Sequence, residues 1–197
     1  MNSTVIVASE TLRATFSTAD GSLMSLVTED AEWSIIDNAA LGLGFCILLP
    51  LYGRRNNVAD SRSQSAPGWE VGPDLSWVTA EWSSLVSEHG GVHDVGVRMR
   101  VAAEGPRLVF SLEIDNRSEH VVEDVRFPRL GDVLQRSDDR PLHSVMAGYA
   151  DARRRPFRPQ FTDSVPYFGV DRPTYVNGPM RQSAASPYAP FVLVEDG

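Results

Sequence analysis

Val95-Gly96-Val97-Arg98-Met99-Arg100-Val101, then Glu104-Gly105-Pro106, then Leu108-Val109-Phe110-Ser111-Leu112-Glu113-Ile114 alternate apolar and polar side chains on both sides of a glycine-proline turn. Successive strand residues point to opposite faces, so this period-two pattern predicts half-buried strands. Val95, Val97, Met99 and Val101 form one apolar stripe, with Arg98 and Arg100 behind it; Leu108, Phe110, Leu112 and Ile114 form a second. Upstream, Leu85 to Val101 predicts a hairpin. Gly90-Gly91 reads as a two-residue loop that would set His89 opposite Val92 and Glu88 opposite His93. Downstream, Asp115-Asn116-Arg117-Ser118 reads as a turn into a third strand bearing Val121, Glu123, Val125 and Phe127. The three strands together predict an antiparallel meander.

The same alternation extends outward. Leu12, Ala14 and Phe16 alternate with polar residues, Ala19-Asp20-Gly21 supplies a turn glycine, and the return strand runs from Ser22 to about Thr28. Leu75 to Ser83 predicts a strand with Trp77 and Trp82 on opposite faces, both covered. The expected fold is an all-β antiparallel sandwich, a single domain over residues 1–197 with a loop-rich segment at 130–190. That segment is rich in Pro, Arg, Asp and Ser, with short apolar pieces such as Ser144-Val145-Met146-Ala147. Phe191 to Val194 reads as a strand and Glu195-Asp196-Gly197 as a turn opening a hairpin. The sandwich is therefore expected to be incomplete at the C-terminus, with the chain continuing.

Composition narrows the function classes. The chain has 197 residues, 42% hydrophobic and 22% charged, ordinary values for a folded domain with a sizeable core. A net charge of -8 and a pI near 5.0 argue against a nucleic-acid partner, since phosphate binding is dominated by cations. All 18 basic residues are Arg, so this chain has no Schiff-base lysine, P-loop lysine or Ser-Lys dyad. Cys46 is the single cysteine, which excludes an internal disulfide; within Gly44 to Leu49 it reads as a small hydrophobe. The apolar run Leu41 to Leu51 is shorter than the roughly 20 residues of a membrane span. Met1 to Val7 lacks the basic start of a signal peptide, so the expected location is cytoplasmic, with no membrane partner.

Catalytic signatures are missing from the sequence. There is no Gly-x-Ser-x-Gly or His-Glu-x-x-His, and Gly42-Leu43-Gly44 lacks the third glycine of a dinucleotide loop. His89 and His93 have a spacing that suits zinc on a helix, but Gly90-Gly91 opposes a helix; an exposed His93–Glu88 pair is expected instead. The carboxylate pairs Glu29-Asp30, Glu123-Asp124 and Asp138-Asp139 are adjacent in sequence and so point in different directions. No catalytic residue, metal ligand or cofactor is assigned.

Two segments carry candidate binding residues. Leu49 to Val58 leaves a buried strand for a polar loop with Arg54, Arg55, Asn56 and Asn57, followed by Trp69. Amides and guanidinium groups suit sugar hydroxyls, and an aromatic face suits sugar C–H surface. The competing reading makes Asn56-Asn57 a turn and Trp69 a plug at the sandwich end. Arg153-Arg154-Arg155-Pro156-Phe157-Arg158-Pro159 could clamp an anionic sugar through Arg154 or dock an acidic neighbour, because guanidinium bonds carboxylates bidentately. Its plainer reading is a solvated loop.

Glu10 to Val27, a strand, a glycine turn and the return Ser22-Leu23-Met24-Ser25-Leu26, resembles the first hairpin of galactose-mutarotase-like β-supersandwich domains. Phe110 to Ser118 followed by Val125-Arg126-Phe127-Pro128-Arg129-Leu130 is similar to a later passage of the same domains. The resemblance implies the non-catalytic N-terminal domain of a larger bacterial glycoside hydrolase, partnered with that enzyme's catalytic domain, with carbohydrate as a further candidate partner. Two alternatives stand beside it. One is a sugar mutarotase or epimerase using histidine chemistry; the other is a free-standing carbohydrate-binding module.

Overall fold

In the computed structural model the described residues are 3–30, 33–36, 39, 42–129, 134 and 136, with the backbone of 142–147, 152–156 and 192–196. The chain divides into two compact units, Met1–Asp132 and Val133–Gly197. The fold is all-β, in antiparallel sheets, and the first unit is consistent with a β-sandwich.

Its first sheet joins β1 (Thr4–Ala8), β2 (Leu12–Ser17), β3 (Leu23–Thr28) and β4 (Ser34–Ile36) in chain order. The β2–β3 turn forms as its sequence expects. Gly21 has φ +70°, and a Cβ there would lie 2.8 Å from the Trp82 ring, so both the turn and the packing require glycine. The next strands are β5 (Cys46–Leu48), β6 (Val58–Asp60), β7 (Gly68–Val71), β8 (Trp77–Trp82), β9 (Leu85–Ser87) and β10 (Gly91–His93). β11 (Val95–Glu104), β12 (Arg107–Asn116) and β13 (Asp124–Arg126) complete the unit. The second large sheet runs β12-β11-β8-β7; β13-β5-β6 and the β9–β10 ribbon complete the arrangement.

The two apolar stripes lie where alternation puts them. Val95, Val97, Met99 and Val101 are buried, in one core with Phe16, Leu23 and Ile36 of the first sheet and Phe45, Ile47 and Leu49 around β5. Leu108, Phe110, Leu112 and Ile114 are half-buried and pack against that core. Trp82 faces inward and Trp77 outward, where the Arg100 guanidinium covers its ring at 4.6 Å. At one end, Ser9 and Thr11 donate hydroxyl hydrogen bonds to Pro106 O and Glu10 N–H donates to Gly105 O, tying the β1–β2 turn to the β11–β12 turn.

Three expectations are corrected. The hairpin loop has three residues, Glu88 to Gly90. Ser87 pairs with Gly91, Val86 with Val92 and Leu85 with His93. Gly91 takes the left-handed φ of +71°, while Ser87 Oγ accepts from Gly90 N–H, which closes the longer loop. His93 therefore falls on the buried face rather than opposite Glu88. Second, the meander's third strand changes sheets: β13 pairs with β5, Val125 opposite Ile47, while Val121 and Val125 are exposed. The connection after Asn116 is a string of side-chain turns. Asn116 Oδ1 accepts from Ser118 N–H and its amide donates to His120 O, carrying the chain away from β12. Third, Glu195 and Asp196 do not turn.

In the second unit β14 (Leu142–Ala147) is flanked by β15 (Ala152–Pro156) and β16 (Val192–Asp196). Glu195 pairs with His143 and Asp196 with Leu142, so β16 runs through the residues expected to bend. The expected arginine loop is likewise strand as far as Pro156, with Arg154 opposite Val145. Phe157, Arg158, Pro159 and the rest of the expected loop-rich segment, 130–190, lie largely outside the described residues. Among the described residues no helix is long and apolar enough to cross a membrane.

Candidate functional site

The polar loops gather where the Leu51–Asn57 loop meets the tip of the β9–β10 hairpin. Leu51 and Arg54 exchange two backbone hydrogen bonds of 3.0 Å across Tyr52-Gly53, with Gly53 at φ +74°. This tight reversal puts the Tyr52 side chain wholly in solvent. Arg54 Nη1 lies 3.1 Å from His89 Nε2. A guanidinium can only donate, so this contact uses Nε2 as an acceptor. Glu88 Oε1 is also 3.5 Å from Nε2, an ion pair that requires the proton on Nε2; the two partners compete for one nitrogen. Arg55 Nη2 reaches both Glu123 oxygens, at 3.3 and 3.4 Å. Asn56 is exposed in the same loop.

Beneath this rim lies a buried polar network. Asn57 is fully buried, and its amide donates to Leu49 O at 2.8 Å and to Ser87 Oγ at 2.9 Å. Its Oδ1 accepts from His89 N–H at 2.9 Å, so Asn57 locks the base of the arginine loop to the hairpin tip. Ser87 Oγ accepts from Asn57 and from Gly90 N–H, which uses both lone pairs. Its own proton is then left for His93 Nε2, 2.7 Å away. The His120 ring meets His93 edge-on, with centroids 4.9 Å apart.

Burial lowers the His93 pKa below the ordinary histidine value of about 6.5, and the neighbouring His120 adds to the effect. The hydrogen bonding agrees, because a protonated Nε2 would need a third lone pair on Ser87 Oγ. The unfolded chain thus takes up a proton that the folded chain refuses. The stability held through His93 is full above pH 6.5 and declines as pH falls from there toward the lower folded value. A urea midpoint that drops below pH 6.5, with the drop reduced in His93→Gln, is the expected outcome. A His93→Gln chain that loses stability over the same range as wild type would contradict it.

Within the Met1–Asp132 unit, the binding residues expected from sequence fall in different settings. Arg54, Arg55 and Asn56 share the exposed rim; Asn57 is its foundation, with every polar atom used internally. Trp69, on β7, packs against the core and donates its indole N–H to Thr18 O at 3.0 Å, away from the rim. Arg154 lies on β15 of the other unit. Tyr52, His89 and Glu123 complete the rim. Tyr52 could have been found from the glycine turn beside it, whereas His89 and Glu123 arrive from 35 and 68 residues away in sequence. Cys46 is buried and its thiol pKa is raised, chiefly by desolvation. Among the described residues no three His, Cys, Asp or Glu side chains are grouped to hold a metal ion. Comparison with known proteins adds no relative: no family model, curated protein or solved structure matches the chain.

Proposed function

We propose that this chain is a non-catalytic β-sandwich part of a larger carbohydrate-active enzyme, of galactose-mutarotase-like supersandwich type, that supports the catalytic domain and touches sugar through its rim. The carrying observation is the rim itself: Tyr52, fully exposed, beside Arg54, Arg55 and Asn56 on a buried footing. An aromatic face for C–H surface, planar donors for hydroxyls and the Glu88 and Glu123 carboxylates as acceptors are the groups a pyranose needs. The family-like segments support the supersandwich reading, since they form the β2–β3 hairpin and the β12-to-Phe127 passage. The buried His93 and Ser87 are read as structural, because each polar atom that meets the other is already committed.

The test is a glycan array probed with the 197-residue chain, followed by titration of the best ligand. Tyr52→Ala is expected to weaken binding about tenfold, as truncation of an aromatic anchor does, with the melting temperature unchanged. A blank array would remove the sugar contact, and glycoside turnover by this chain alone would remove the non-catalytic reading.

A further inference from the structure

β12 is a terminal strand of its sheet, and among the described residues nothing pairs with its outer edge. Natural sheets guard such edges with proline, bulges, charged side chains or short length. Arg107–Asn116 is ten residues long, proline-free, and pairs with β11 in ten unbroken steps; its charges, Arg107, Glu113 and Asp115, leave the central run Leu108 to Leu112 uncharged. The edge is also aligned for use. Ala103 N–H bonds Ser76 O on the β8 side, so its register partner Leu108 is left with its N–H and C=O on the open edge. By parity Phe110, Leu112 and Ile114 present theirs as well. Their side chains are the half-buried stripe, covered on the core side only.

We infer that β12 pairs antiparallel with β12 of a second copy of this chain, about a two-fold axis at Ser111, extending the sheet from four strands to eight. The charges select this occupant and register. Turning Arg107-Leu108-Val109-Phe110-Ser111-Leu112-Glu113-Ile114-Asp115 end for end about Ser111 sets Arg107 opposite Asp115 and Phe110 opposite Leu112. Leu108 then faces Ile114, continuing the apolar stripe, and no like charges stand opposite each other. Phe110 and Leu112 form a hydrogen-bonded pair through the open-edge groups, while Ser111 meets its own copy in the closer, non-bonded kind of pair. Asp115 also bonds Arg117 of its own chain, and its carboxylate is largely exposed, so it has oxygen available for both cations. The pairing is isologous and closes on itself, leaving no new edge at the contact.

Sedimentation of the 197-residue chain is expected to show a dimer at tens of micromolar. Arg107→Asp, which sets acid against acid at two symmetric places, is expected to weaken the dimer about tenfold, with Arg107→Asp/Asp115→Arg recovering it. Ser111→Cys provides a second measurement on an exposed position that leaves the fold alone. Its thiols should form an intermolecular disulfide under mild oxidation, with the native Cys46 buried and silent. Val109→Cys should not cross-link, because its copies stand four residues apart along the strands, roughly 13 Å. A monomer at every concentration would overturn the inference, and so would equal cross-linking through Cys at 109 and 111.

Discussion

Phe45→Ala is expected to lower the unfolding free energy of the Met1–Asp132 unit by about 4 kcal/mol, the largest effect of any single substitution considered. Phe45 has no exposed surface and meets Trp82 edge-on, 4.9 Å between centroids at 84°. It stands immediately before β5, so its ring carries the short β13-β5-β6 sheet into the interior shared by the two large sheets. Truncation removes the transfer free energy of the ring and leaves a cavity bounded by rigid strands, which cannot collapse to fill it. Domains typically hold roughly 5–15 kcal/mol in all, so the loss would take at least about a quarter of the margin. Urea unfolding monitored through tryptophan emission measures it; a loss under about 1 kcal/mol would mean that Phe45 does not sit in the common core.

The second large effect falls on a polar residue. Asn57→Asp is nearly isosteric, yet it is expected to cost about 3 kcal/mol. One carboxylate oxygen can still accept from His89 N–H. The other would replace the donor to Leu49 O and Ser87 Oγ, setting a buried anion against the Leu49 carbonyl and removing a bond from Ser87. Asn56→Asp, one residue away and exposed, is expected to change stability by less than about 0.5 kcal/mol. Comparable losses at the two positions, measured by urea unfolding, would contradict the buried network.

The contrast between these neighbours shows what the sequence could and could not tell. Alternation identified the strands through Val95–Val101 and Leu108–Ile114 because burial on one face imposes period two along the chain itself. Gly21 and Gly105 marked turns because their backbone angles are a local property. Partner choice is not local. Val121 and Val125 repeat the apolar pattern of a third meander strand, yet Val125 pairs with Ile47, some 80 residues earlier, and its own side chain faces outward. Gly90-Gly91 suggested the tightest loop, but a serine hydroxyl three residues before Gly90 favours a longer one. Asn56 and Asn57 are chemically identical in the sequence, and only the approach of the hairpin tip distinguishes a surface amide from a buried crosslink. The rim was half legible for the same reason: Arg54, Arg55 and Asn56 lie in one loop, while His89 and Glu123 are brought to it by the fold.

Asn57, the foundation of the rim, shares the Ser87 hydroxyl with the buried His93. Nitrogen-15 resonances of the His93 ring, followed from pH 7.5 to pH 5, report directly on that footing. The expected spectrum keeps a bare Nε2 bonded to the serine hydroxyl, with the proton on Nδ1, at a pH where an unshielded imidazole has begun to charge. A His93 ring that instead takes up its second proton in step with a free histidine in solution would show that the ring is wet, and that the loops above it have no such support.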